Sequence, residues 1–141
     1  MKKINRELIE HQEVFKKNFE LIENNILKIS KIIKSTLKRN GIIYMAGNGG
    51  SSADSQHFAA ELLGRYKKNR KPYSAVSLSS DIGTISCIAN DFGYENIFSR
   101  QLEAIGKSKD LLIAFSTSGN SKNIINLLKI SKKKKIYSIC L

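Results

Sequence analysis

His57 and Glu61 lie four residues apart, on one face of any helix that contains both. An imidazole and a carboxylate so placed can ligate a metal ion together. Glu61 can instead act as a general base toward a C–H next to a carbonyl, and the two are equally readable as a plain surface pair. Two loops nearby in the pattern narrow the field. Ile42-Ile43-Tyr44-Met45-Ala46 runs into Gly47-Asn48-Gly49-Gly50-Ser51-Ser52, and Leu111-Leu112-Ile113-Ala114-Phe115 runs into Ser116-Thr117-Ser118-Gly119-Asn120-Ser121. Each is an apolar strand emptying into a Ser/Gly loop that opens a helix. Free backbone N–H groups, hydroxyl donors and the positive end of a helix dipole suit a phosphate. Two such loops point to a small phosphorylated ligand at a sheet edge.

The helix rise places Glu61 roughly 13 Å from Ser52. A phosphate on the first loop of the same chain is therefore distant from Glu61; one on the Ser116–Ser121 loop, or on another subunit's loop, suits a long sugar phosphate better. A zinc site usually takes three protein ligands. The only other histidine, His11, reads as a solvated helix residue. Asn90-Asp91 precedes a glycine turn and reads either as a contact for sugar hydroxyls or as a plain turn and cap. Arg65 reads as a partner for a ligand anion or as a helix cap.

The elements that must position these groups alternate. Leu8, Phe15, Phe19, Ile22, Ile26, Ile29, Ile33 and Leu37 recur mostly by threes and fours, the stripe of one or two amphipathic helices over residues 4–39 with a break at Asn24-Asn25. Such a stripe can pack on its own domain or on another subunit; an oligomer is the favoured reading. From residue 42 the pattern predicts strand 42–46, helix 52–63, a basic connector 65–72, strand 73–78, a short helix capped by Asp81 and running toward Asn90, helix 95–105, strand 111–115, helix 121–131 and a strand from Ile136. Alternation of this kind predicts an α/β fold, a parallel sheet with helices on both faces. The domain reading is an N-terminal helical segment, 1–40, followed by an α/β domain, 41–141.

Bulk properties fit a globular chain, with 41% hydrophobic and 26% charged residues in 141. No apolar run nears the roughly 20 residues that span a bilayer, and the N-terminus lacks the apolar core of a signal peptide; a cytoplasmic location without membrane contact is expected. Cys87 and Cys140 sit among apolar neighbours and read as buried free thiols. The net charge of +12 comes from scattered lysines, without the interleaved aromatics of a base-stacking surface. It predicts weak attraction for acidic ligands and no specific nucleic-acid binding.

Taken in order, Gly47-Asn48-Gly49-Gly50-Ser51, Asp54, His57-Phe58-Ala59 with Glu61, Gly64-Arg65-Tyr66, Asn90-Asp91-Phe92-Gly93-Tyr94 with Phe98-Ser99-Arg100, and Ser116-Thr117-Ser118-Gly119-Asn120-Ser121 closely resemble the bacterial phosphoheptose isomerases of the sugar isomerase (SIS) domain superfamily. The resemblance runs from about residue 8 to the end. It implies a flavodoxin-like α/β sandwich assembled as a homotetramer with active sites between subunits. The implied reaction converts sedoheptulose 7-phosphate to D-glycero-D-manno-heptose 7-phosphate, for ADP-heptose and lipopolysaccharide, by proton transfer between C1 and C2. By this resemblance Asn48, Gly49, Gly50, Ser51, Glu61, Asn90, Asp91, Ser116, Thr117, Ser118 and Ser121 match substrate-binding positions. His57 and Glu61 match two zinc ligands, and Glu61 also matches a catalytic acid/base. In that family a further glutamine and histidine complete the set, and both positions lie beyond residue 141. The expectation is thus an SIS domain incomplete at its C-terminus, with little or no isomerase activity alone. The alternative is a non-catalytic SIS-domain protein that binds phosphosugars or a replication initiator.

Overall fold

The computed structural model describes residues 2–141. It divides into two compact units, Met1–Ile32 and Ile33–Leu141, so the boundary falls inside a helix. In the first unit α1 (Lys2–Lys17) is followed by α2 (Phe19–Lys38), which carries on into the second. The interruption is at Asn18, not at Asn24-Asn25. The Asn18 side chain donates to the Val14 carbonyl (2.8 Å) and its own N–H is shared between Val14 and Phe15 (both 3.2 Å). Asn24 and Asn25 sit mid-helix, where the modest propensity cost of asparagine does not interrupt α2. Phe15 and Phe19 meet edge to face at 5.8 Å. Much of the stripe is uncovered, with Phe19 51% and Ile26 58% exposed.

In the second unit, Thr36 near the end of α2 is fully buried. Asn40 adopts the left-handed conformation (φ 56°), and Gly41 N–H returns to the Thr36 carbonyl at 2.9 Å, closing the helix. Then come β1 (Ile43–Gly47), α3 (Gly50–Leu63), β2 (Ala75–Ser77), α4 (Ile82–Phe92), a single 3₁₀ turn (Tyr94–Asn96), α5 (Ser99–Ile105), β3 (Leu111–Phe115), α6 (Lys122–Lys133) and β4 (Tyr137–Cys140). All strand pairs are parallel, in the order β2-β1-β3-β4. β1 and β3 are continuous apolar runs because both faces of the sheet are covered. On one face Tyr44, Ala46, Leu112 and Ala114 join Phe98, Leu102, Ile124 and Leu127 in the core. By the strand alternation Ile43, Met45 and Ile113 face the other way, toward α3.

Three expectations are corrected in detail. The second strand shrinks to three residues, since the Tyr73 N–H is bonded to Leu62 of α3 (3.0 Å). The helix expected over 95–105 is split, because Asn96 turns its side chain back to the Phe92 carbonyl (2.6 Å) and the chain then inserts Ile97 and Phe98 into the core. Both cysteines are exposed. Cys87 lies on the outer side of α4, while Ile85 and Ile88 beside it turn toward the core, and Cys140 lies on the edge strand β4. Among the described residues no helix is long and apolar enough to cross a membrane.

Candidate functional site

The strand order reverses between β1 and β3: the chain leaves β1 toward β2 on one side and returns to β3 on the other. The crevice outside the carboxyl ends of such a pair is where open α/β sheets bind ligands. Gly47 is in register with Phe115, so the two Ser/Gly loops start side by side there.

Their backbones are open to a ligand. Gly49 (φ 53°) caps α3 without a side-chain hydrogen bond, and Ser52 is the first amide to bond back into the helix. A Cβ at Gly49, Gly50 or Gly119 (φ 61°) would meet nothing within 4 Å. No packing constraint inside the protein demands glycine at these three positions; the space is what a bound anion would fill. Gly47 differs: a Cβ there would lie 2.7 Å from the Ser51 Cβ, so glycine is needed for α3 to start this close to β1. Ser79 braces the same place, its hydroxyl donating to the Gly47 carbonyl (2.9 Å) and accepting from the Gly47 N–H (3.2 Å). Ser55 and Ser77 bond to each other, buried, at 2.9 Å. On the second loop Ser121 caps α6 without a side-chain bond to it. Thr117, Ser118 and Asn120 are exposed, and the Ser116 hydroxyl is buried without a partner. An unpaired buried hydroxyl is a donor held ready.

Asn48 joins the loops. Its amide pairs head to head with that of Asn123 (2.9 and 2.8 Å), and Tyr94 donates its hydroxyl to Asn48 Oδ1 at 3.1 Å. With Glu95, Ser121 and Lys122 these residues line a pocket of about 250 Å³. Asn123 is a residue that the sequence reading missed; its place in the first turn of α6, just past the loop, was the available signal. Asn90 and Asp91 are exposed on the last turn of α4 and bond to each other (2.9 Å). Tyr94, three residues on, brings that end of α4 to the first loop.

His57 and Glu61 do share one face of α3, with Nε2 and Oε1 3.3 Å apart. The other carboxylate oxygen, Oε2, is buried and has no hydrogen-bond partner. An orphan carboxylate oxygen beside an imidazole fits a cation by donor chemistry. The pair is half of a set: no group of three His, Cys, Asp or Glu is assembled among the described residues. Arg70, also missed in the sequence, anchors this end of α3. Its guanidinium donates to the carbonyls of Glu61 (2.7 Å), Leu62 (2.9 Å) and Lys71 (3.0 Å) and stacks 4.2 Å over the Tyr73 ring. Eleven steps along α3 lead from Gly50 to Glu61, roughly 16 Å of rise. One copy of the chain thus keeps its anion loops and its Glu61 at opposite ends of that helix.

A doubly wound parallel sheet with two Ser/Gly loops at its switch point defines an α/β protein with a ligand crevice at the carboxyl ends of its strands. The SIS domain family matches residues 8–141, and the chain belongs to that family, among the phosphoheptose isomerases. It is 47% identical over 129 residues to the phosphoheptose isomerase of Helicobacter pylori strain P12, covering 92% of this chain and 67% of that relative's length. It is 46% identical over 138 residues to phosphoheptose isomerase 1 of Campylobacter jejuni, covering 98% and 73%. The phosphoheptose isomerase structure from Neisseria gonorrhoeae superposes with a TM-score of 0.89 at 31% identity, over 99% of this chain and 72% of that one. That from Francisella tularensis gives 0.90 at 28% identity, with the same coverage. The family is one of isomerases, and the expected flavodoxin-like sheet is what the chain forms.

Proposed function

We propose that the chain isomerises sedoheptulose 7-phosphate to D-glycero-D-manno-heptose 7-phosphate, feeding ADP-heptose and lipopolysaccharide. The observation that carries this reading is the unpartnered Oε2 of Glu61 on a helix that begins at an anion loop. The Ser116–Ser121 loop, with Thr117 and Ser118, holds the phosphate. Asn48 to Ser51, Asn90 and Asp91 take the sugar oxygens. Glu61 lifts the proton from C1 of the ketose, and the C–H electrons form the C1–C2 double bond as the C2 carbonyl oxygen takes up a proton to give an enediol. The same carboxyl returns its proton to C2 while the C1 hydroxyl gives up its own. One proton thus moves from C1 to C2 and one from O1 to O2, leaving the aldehyde at C1. His57 and Glu61 would hold zinc, and the ion would supply charge stabilisation for the sugar oxygens as negative charge develops.

The separation of Glu61 from the loops supports a shared site, in which loops of one copy face Glu61 of another. The uncovered apolar side chains of α1 and α2 support the same assembly, which we take to be a homotetramer. Two exposed, unpaired cysteines suit the reducing cytoplasm.

The test measures zinc content, sedoheptulose 7-phosphate binding and turnover in wild type and Glu61→Gln. We expect zinc bound by wild type and lost in the variant, and any turnover cut by about 10²- to 10⁴-fold. A metal-free oligomer that binds the sugar phosphate equally well in both forms would replace this reading with a phosphosugar-binding adaptor. Full turnover by Glu61→Gln would refute the acid/base role of Glu61.

A further inference from the structure

Asn48 is more constrained than a loop asparagine need be. An amide oxygen has two acceptor sites and an amide nitrogen two hydrogens. Asn48 Oδ1 accepts from Asn123 Nδ2 (2.8 Å) and from the Tyr94 hydroxyl (3.1 Å), which uses both lone pairs. Asn48 Nδ2 donates one hydrogen to Asn123 Oδ1 (2.9 Å). What remains for a ligand is a single N–H and no acceptor. The partner amide is itself buried, Asn123 being 3% exposed in the first turn of α6. The arrangement bridges positions 75 residues apart in the chain, across the crevice between the two loops.

We propose that Asn123 and Tyr94 are positioning residues that fix Asn48 as a donor-only contact for an acceptor oxygen of the bound sugar phosphate. The inference rests on the phosphosugar reading of the site. It makes Asn48 selective: a phosphate or carbonyl oxygen is accepted, and a ligand hydroxyl seeking an acceptor finds none on this side chain. The spacing between the loops is set by the same three residues.

The experiment is a set of binding isotherms with sedoheptulose 7-phosphate and with inorganic phosphate as probes. The full chain is compared as wild type, Tyr94→Phe, Asn123→Leu, Asn48→Ala, and each of the first two variants combined with Asn48→Ala. Tyr94→Phe removes one exposed hydroxyl and keeps the ring, so it remains informative if Asn123→Leu fails to fold. Loss of a hydrogen bond that orders a contact weakens binding by about 3- to 10-fold. We expect that factor in the wild-type background and less than about 2-fold on top of Asn48→Ala, because the effect travels through Asn48. A residue that only stabilised the fold would lower the melting temperature while giving the same factor in both backgrounds. Equal factors, or wild-type binding by Tyr94→Phe, overturn the proposal. A loss seen with both probes puts the contacted oxygen on the phosphate, and one confined to the heptose puts it on the sugar. Wild type that binds phosphate and not the heptose overturns the substrate reading alone; wild type that binds neither overturns both.

Discussion

Replacing Arg70 with alanine tests how the Glu61 end of α3 is held. The last carbonyls of a helix have no partner within it. Here Gly64 N–H satisfies Ala60 (2.8 Å), Tyr73 N–H takes Leu62 (3.0 Å), and the Arg70 guanidinium takes Glu61 and Leu62 together. Arg70 is half-buried, so the full value of a charge-assisted bond does not apply, and water reaches the freed carbonyls. Allowing about 0.5 kcal/mol for each of three bonds and about 0.5 kcal/mol for the stack on Tyr73 gives a loss of about 2 kcal/mol. For a unit of roughly 110 residues that corresponds to about 8 °C in melting temperature. The measurement is a calorimetric melt of wild type, Arg70→Ala and Arg70→Lys, with amide exchange read at residues 60–63. Lysine places one ammonium where the guanidinium bridges two carbonyls, so it should recover less than half of the loss. Exchange in the last turn of α3 should accelerate in the alanine variant ahead of the rest of the helix. A melting temperature within 1 °C of wild type, with unchanged exchange at Glu61 and Leu62, would refute the claim that Arg70 secures this turn.

Two further expectations follow from the same geometry. Gly47→Ala would set a Cβ 2.6 Å from the Ser51 carbonyl carbon and 2.7 Å from its Cβ, against backbone that cannot swing aside. It should cost about 1–3 kcal/mol and, by displacing the first loop that takes the sugar oxygens in the proposed function, weaken sedoheptulose 7-phosphate binding, measured by chemical denaturation and calorimetric titration. Asp81 caps α4, accepting from Thr84 Oγ1 (2.5 Å) and Thr84 N–H (3.1 Å), and these bonds hold its carboxyl below the ordinary value of 3.8. Its contribution is complete above that value and disappears as the pH falls through the lowered folded value. Asp81→Asn, which caps without titrating, should therefore show a shallower loss of melting temperature below about pH 4. An identical acid limb would contradict this.

The elements legible in the sequence were those whose cause is local. β1 and β3 are unbroken apolar runs because a doubly covered sheet demands them, and the cap at Asp81 is a side-chain bond to an amide three residues on. Both anion loops were legible for the same reason: strand, glycine, hydroxyls and helix follow one another in the chain. The misses have causes that lie elsewhere in the fold. The break at Asn18 depends on which asparagine turns its side chain to a carbonyl behind it, and composition favoured the Asn24-Asn25 pair. Cys87 has apolar neighbours in sequence, and the turn of α4 puts them and not the thiol against the core. Asn123, Tyr94 and Arg70 act on residues that are 75, 46 and 9 positions away. The sequence sets Tyr94 at the end of the Asn90–Tyr94 motif and Asn123 just past the second loop, but it does not show what any of the three touches. Only the parallel pairing of β1 with β3, and the return of the connector onto α3, gives each its partner.

The charge of the chain and the chemistry of the crevice serve different steps. Of 24 basic side chains, one lysine, Lys133, is in an ion pair among the described residues, with Glu103 at 3.4 Å. The excess is therefore a diffuse field facing solvent, which speeds the approach of any anion and is screened over about 10 Å at 0.1 M salt. The pocket itself is lined by amides, hydroxyls, one lysine and one glutamate, Lys122 and Glu95, whose opposite charges offset each other there. In the proposed function selection is left to neutral donors: the uncapped first amides of α3 and α6, the Ser116 hydroxyl and the single free N–H of Asn48. These act at contact distance, where added salt screens little. Raising ionic strength should then slow association with a sugar phosphate far more than it speeds dissociation. A chain that held its ligand chiefly through lysines would show the reverse weighting, with dissociation carrying most of the salt dependence.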